Sequence, residues 1–145
     1  MAMDAIRSYA IRLGDDSLIL GHRLSEWCSR GPFLEEDLAL TNTALDYVGR
    51  ARMFYTYAAE LAADGTTEDT FAYQRDCRDF TNLLIYELPN GDFAFTMARQ
   101  YLSDEFSRLF MRSLSESSDE RLKGIAAKAV KESDYHLRRS REWML

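Results

Sequence analysis

Tyr47, Asp104, Ser133 and His136 are polar side chains on otherwise apolar helical stripes, and Arg50 follows Tyr47 by three residues. That arrangement raises one kind of chemistry, a pair of metal ions held inside a helical bundle. Such sites take one carboxylate from each of two helices and a Glu-x-x-His from each of the other two. This sequence offers Tyr47-Val48-Gly49-Arg50 and Ser133-Asp134-Tyr135-His136 in those places. Only Asp104 and His136 are good ligand types, and two ligands do not hold a metal pair. Arg50 adds a charge that it cannot shed. At about 4 Å and an effective dielectric near 20, one such like-charge contact costs roughly 4 kcal/mol. The residues therefore favour a buried hydrogen-bonded layer around Asp104, His136 and Arg50, with no metal, cofactor or catalytic residue in this chain.

An enzyme reading stays open beside it, a carboxylate-bridged di-iron oxygenase with a displaced site built from Asp46, Asp104, Glu132 and His136. Glu132 and His136 are spaced i, i+4, but Glu132 points about 100° away from Ser133, so a surface pair is expected for it. Asp46 is expected to bridge to Arg50, and His22, near Asp15 and Asp16, to face solvent. Lys128, Lys131, Arg138, Arg139 and Arg141 cluster on the last helix. They read as a solvated face, with a phosphate or an acidic partner as the alternative. No P-loop, dinucleotide fingerprint or nucleophile motif occurs.

Four long helices must position these groups. The first is predicted over about Asp4–Ser29, stopping at Gly31-Pro32. The second is predicted over Leu34–Ala63, before Asp64-Gly65. The third follows Pro89-Asn90-Gly91 with Asp92 as cap and runs to about Leu114. The fourth follows Ser117, which has capping-box spacing to Glu120, and runs to the chain end. The apolar stripes are Ile6-Ala10-Leu13-Ser17-Leu20-Leu24-Trp27, then Leu40-Ala44-Tyr47-Ala51-Phe54-Ala58-Leu61. The third helix gives Ala94-Met97-Tyr101-Asp104-Arg108-Met111, and the fourth Leu122-Ala126-Ala129-Ser133-His136-Ser140-Trp143. Between the second and third helices, residues 67–79 read as a short helix crossing the bundle, and 80–88 as helix or turn. The fold class is all-α, a ferritin-like up-down four-helix bundle with a long crossover between helices two and three.

Composition agrees. The chain has 145 residues, 46% hydrophobic and 29% charged, which suits one domain. A formal net charge of -6 argues against nucleic-acid binding and gives no pull toward anionic membranes. The apolar runs are too short to span a bilayer. Met1–Leu13 carries Asp4, Arg7 and Arg12 with no apolar core, so it does not read as a signal peptide. Cys28 and Cys77 stand apart and read as reduced cytoplasmic thiols. Phe71, Tyr73, Phe80 and Tyr86 in the crossover are candidates for a face that pairs with another copy.

Four stretches carry a more specific likeness: Gly14–Trp27 (GDDSLILGHRLSEW), Leu34–Tyr55 (LEEDLALTNTALDYVGRARMFY), Glu87–Tyr101 (ELPNGDFAFTMARQY) and Ala127–Ser140 (AKAVKESDYHLRRS). They resemble the structural-subunit branch of the bacterial phenylacetyl-CoA ring 1,2-epoxidase family of phenylacetic acid degradation. Members with intact sites carry Asp-Glu-x-Gly-His where this chain has Asp46-Tyr47-Val48-Gly49-Arg50. The resemblance places the ligand Glu of helix one at Ser17 and that of helix four at Ser133, while the carboxylate at Asp104 and the His at His136 are kept. The degenerate ligand positions are thus Ser17, Tyr47, Arg50, Asp104, Ser133 and His136. The resemblance implies a non-catalytic cytoplasmic subunit of a multicomponent monooxygenase complex of aerobic phenylacetate catabolism. Its partner is a homologous catalytic subunit that holds the di-iron centre and the substrate, and further subunits supply coupling and electrons from NADPH. Family members continue beyond the position of Leu145, so residues 1–145 are expected to form one bundle domain without the family's C-terminal extension.

Overall fold

A computed structural model describes residues 2–145. Every regular element among them is helical: α1 (Ala2–Ser25), α2 (Leu34–Ala62), α3 (Glu68–Tyr73), α4 (Phe93–Leu114) and α5 (Glu120–Met144), with 3₁₀ turns at Cys77–Asp79 and Leu84–Glu87. No helix is long and apolar enough to cross a membrane among the described residues. α1 lies along α2, α4 lies along α5, and α2 meets α5.

Local chemistry sets the ends. α1 stops at Ser25, four residues before the predicted end, because the chain tightens into turns and Ser29 takes a positive φ of 70°. Gly31 admits the start of α2, since a Cβ there would sit 2.8 Å from Asp37 Cα. Its N–H donates to Asp37 Oδ2 at 3.1 Å. Glu35, Glu36 and Asp37 meet the positive end of the α2 dipole. Asp92 caps α4 as predicted, accepting from Phe95 N at 2.8 Å. The α5 cap is Asp119 rather than Ser117: its Oδ1 accepts from Leu122 N at 3.0 Å, while Ser117 Oγ accepts from Asp119 N. A carboxylate two residues later sits closer to the free N–H groups and wins that place.

The core is layered. At one end Ala10, Phe54, Ala58, Met111, Ile125 and Ala126 pack together. At the other end Leu20, Leu24, Leu40, Met97 and Tyr86 do so. Between them in chain order lie Ser17 on α1, Arg50 on α2 and Asp104 with Ser107 on α4, and on α5 Ser133 and His136 follow the residues of the first cluster, all buried. The expected stripes of α1 and α2 are the buried faces, and so is that of α5 as far as Ser140, while Trp143 at its end is exposed. On α4 the buried face is instead Thr96, Met97, Arg99, Gln100, Ser103, Asp104, Ser107 and Met111. Ala94 is exposed, and Tyr101 and Arg108 are only half-buried. Apolar periodicity fails there because the inward face of α4 is polar and the outward one apolar.

The crossover is fastened to α1 by a buried carboxylate. Asp15 is fully buried and accepts from the Tyr55 hydroxyl at 2.6 Å, Thr81 N at 2.8 Å and Arg75 Nη1 at 3.2 Å. Neighbouring Asp16 accepts from Leu83 N at 2.7 Å. The Arg75 guanidinium also stacks 4.1 Å over the Phe80 ring. The four candidate aromatics of the crossover do not share one exposed face. Tyr86 is buried, Phe71 and Phe80 lean into the core, and only Tyr73 is exposed. Arg75, paired with the buried Asp15, places its guanidinium over the Phe71 and Phe80 rings and holds them inward.

Gly14 permits the close approach of α1 to α2, because a Cβ there would fall 2.4 Å from Tyr55 Cε1. Gly14→Ala should lose about 1–3 kcal/mol of stability to overpacking, although alanine favours helix by about 1 kcal/mol. Urea unfolding followed by circular dichroism measures this, and a neutral or stabilising result would show that Tyr55 moves aside freely.

Candidate functional site

Ser17, Tyr47, Arg50, Asp104, Ser133 and His136 converge on the central polar layer. Arg50 is its hub, 3% exposed. Its Nη1 donates to Ser107 Oγ at 3.0 Å, and Nη2 donates to Ala129 O and Ser133 Oγ, each at 3.4 Å. Ser107 and Ser133 share a hydrogen bond of 3.0 Å that ties α4 to α5. The guanidinium also lies 4.8 Å from the Tyr47 ring centroid, a favourable cation–π distance. Ser17 faces the layer from α1 but donates to its own helix, at Leu13 O.

Asp104 forms a second cluster. The Tyr47 hydroxyl donates to Oδ1 at 3.2 Å, Gln100 Nε2 donates to Oδ1 at 2.7 Å, and the Ser140 hydroxyl donates to Oδ2 at 2.7 Å. Burial pushes its pKa up to about 7, against the opposing pull of those three donors and of Arg50. Burial likewise raises the Tyr47 phenol, with the Asp104 charge adding to it.

His136 pairs with Asp46 rather than with Asp104. Its Nε2 lies 2.8 Å from Asp46 Oδ2, its ring lies 5.4 Å from that of Tyr47, and its Nδ1 is buried without a protein partner. Burial lowers the His136 pKa and outweighs the attraction of Asp46. The expected Asp46–Arg50 bridge is absent because Arg50 reaches across the core to α4 and α5. Glu132 is not a surface pair either. It is half-buried, with Oε1 3.9 Å from Arg50 Nη2, and burial raises its pKa while Arg50 opposes. Asp46, Glu132 and His136 are thus neighbours, and Asp104 is committed to other donors. Among the described residues no three His, Cys, Asp or Glu side chains are grouped so as to hold a metal ion.

The remaining candidates sit outside the layer. His22 is exposed. Arg139 bonds to Glu36, and Arg141 bonds to Glu105 at 2.5 Å, so part of the basic cluster on α5 is paired locally. Cys28 and Cys77 are exposed free thiols. Gln100 and Ser107 escaped the sequence reading. Their spacing of four and three residues from Asp104 was the available signal, but polar residues at that spacing equally describe a solvated face.

The raised Asp104 pKa fixes a pH dependence. An unfolded aspartate titrates near 3.8 and this one near 7, so the folded state holds the proton more tightly between those values. The contribution of Asp104 to stability therefore falls as pH rises through that window. His136 works in the opposite sense, since its lowered pKa costs stability as the medium becomes acidic. The stability advantage of the unaltered chain over Asp104→Asn should accordingly be larger at pH 5 than at pH 8 in urea titrations, and an advantage that grows with pH would contradict the buried protonation.

Residues 2–145 match the family described as phenylacetic acid catabolic protein. A relative from Escherichia coli (strain K12), one of the subunits of 1,2-phenylacetyl-CoA epoxidase, is 53% identical over 142 residues. That match covers 98% of this chain and 57% of the relative, so the chain spans little more than half of the relative's length. The resemblance carried by the four sequence stretches is borne out, and the chain belongs to the phenylacetic acid catabolic protein family.

Proposed function

We propose that this chain is a non-catalytic structural subunit of a phenylacetyl-CoA epoxidase, with a ferritin-like bundle that packs against and stabilises a homologous catalytic subunit. The observation that carries this reading is Arg50, a buried guanidinium at one position that the resemblance assigns to a metal ligand, bonded to Ser133 at another and to the neighbouring Ser107. That donor set does not fit a pair of iron ions. Asp104 is bonded to three protein donors, and Ser17, Tyr47 and Ser133 replace carboxylates. Asp46, Glu132 and His136 do gather nearby, but the fixed charge of Arg50 lies 3.9 Å from Glu132. A cation would face that repulsion in a low-dielectric interior.

The bundle reading is supported by the pairing of α1 with α2 and of α4 with α5 across the long crossover. The exposed free thiols suit a reducing, cytoplasmic setting. A partner surface is also on hand. Phe95, Leu102, Phe106 and Leu109 are all exposed and share the outward face of α4, a contiguous apolar stripe of the kind that marks a protein interface. In this role the catalytic subunit holds the di-iron centre and the substrate, and this chain contributes rigidity to the assembly.

Co-expression with the catalytic subunit of an epoxidase of this family, followed by affinity capture and a phenylacetyl-CoA turnover assay, tests the role. The two chains should co-purify, with turnover requiring the catalytic subunit. Leu102→Glu combined with Leu109→Glu should weaken capture by about tenfold or more without lowering Tm. Substrate oxidation by this chain alone would overturn the proposal.

A further inference from the structure

The outward face of α2 is divided into projections and hollows. Leu34, Leu38 and Leu45 stand on its N-terminal half, 71%, 54% and 63% exposed. Its C-terminal half has no such side chains. Gly49 lies there with open space beyond its Cα. Beside it a surface hollow of about 250 Å³ opens between Val48, Arg52 and Tyr73, over the buried Leu18, Ala51 and Tyr55. A second hollow of about 350 Å³ follows along the helix, lined by Arg52, Met53, Thr56 and Ile125. At about 100° per residue, Leu34, Leu38, Leu45, Gly49, Arg52 and Thr56 all fall within an arc of roughly 60°.

Such a face fits its own copy when one helix is turned end for end. Leu45 and Gly49 stand at equal distances on either side of Tyr47, and so do Leu38 and Thr56. Two α2 helices laid antiparallel about a two-fold axis at the level of Tyr47 therefore bring Leu45 of each copy beside Gly49 of the other. The same rotation brings Leu38 beside Thr56. Leu45 then meets the first hollow and Leu38 the second, and the missing side chain at Gly49 lets the two backbones approach. A two-fold contact of this kind makes every such fit twice. The charges bordering the hollows keep their own partners, since Arg52 lies 3.5 Å from Glu68 and Arg121 lies 2.6 Å from Glu60. The net charge of -6 on each copy is screened beyond about 8 Å at physiological ionic strength.

We propose that this chain pairs with a second copy of itself through antiparallel α2 helices, with Leu45 of each copy seated in the hollow beside Gly49 of the other. A second copy is the fitting occupant because one face carries both the projections and the hollows that receive them. The contact uses a different helix from the apolar stripe of α4, and it does not depend on the subunit's role in an epoxidase.

Sedimentation velocity of the unaltered chain across micromolar concentrations tests the pairing, and a dimer is expected. Leu45→Glu should raise the dimer Kd by about tenfold or more and leave Tm unchanged, because Leu45 is exposed in the single chain. Thiol cross-linking tests the register in a background in which the exposed Cys28 and Cys77 are replaced by serine. Chains carrying Leu45→Cys mixed with chains carrying Gly49→Cys should oxidise to a covalent dimer faster than either does alone, since a disulfide needs Cα atoms within about 7 Å. A chain that stays monomeric, or a dimer that Leu45→Glu does not weaken, overturns the proposal. Cross-linking no faster in the mixture than in the separate variants overturns the register. A monomeric chain whose capture of the catalytic subunit is lost in Leu45→Glu would assign this face to that subunit and refute the self-pairing.

Discussion

The guanidinium of Arg50 is a permanent charge in the middle of a helical core, and much of the interior is arranged to tolerate it. Arginine cannot escape burial by losing its proton, so the surrounding helices must supply acceptors. Ser107 on α4 and Ser133 and the Ala129 carbonyl on α5 do so, and the Tyr47 ring lies beneath the charge. The same side chain leaves Asp46 to pair with His136. One residue on α2 therefore draws α4 and α5 into a common layer. The apolar clusters on either side add the nonspecific burial that favours compaction, while the layer specifies which faces meet.

The layer is built from small and large polar side chains fitted together. Short hydroxyl side chains at Ser17, Ser107, Ser133 and Ser140 leave room for the large residues Tyr47 and Arg50. Their hydrogen bonds satisfy polar groups that would otherwise cost free energy in the interior. Asp104 has three donors and remains near the boundary between its charged and neutral forms. A second buried carboxylate, Asp15, performs a different task by bonding the crossover through Arg75, Thr81 and Tyr55. The crossover is thus held at a defined place against α1 and α2 by polar contacts, although it contains only one short α-helix.

Helix existence and most buried faces were legible in the sequence because apolar residues recur at helical spacing in α1, α2 and α5. The convergence of these polar groups was legible because Tyr47, Ser133 and His136 interrupt those stripes, Asp104 interrupts the one drawn on α4, and Arg50 follows Tyr47 by three residues. The α4 face was not. Its inward residues, Thr96, Gln100, Ser103 and Ser107, are polar, and its outward ones, Phe95, Leu102, Phe106 and Leu109, are apolar. Periodicity reports which face is apolar, and on α4 that face points away from this chain's own core. The partners of Asp46, Glu132 and Asp15 were illegible too, because long side chains choose among several acceptors only once the helices are in register.

In the proposed role, Arg50 and its hydrogen-bonded neighbours occupy the space that a metal pair takes in catalytic members of the family. Anaerobic iron loading of the purified chain, followed by removal of loosely bound metal and elemental analysis, tests it most directly. The account predicts a folded helical protein that retains no iron above background. A stoichiometric iron pair retained by the chain would contradict it.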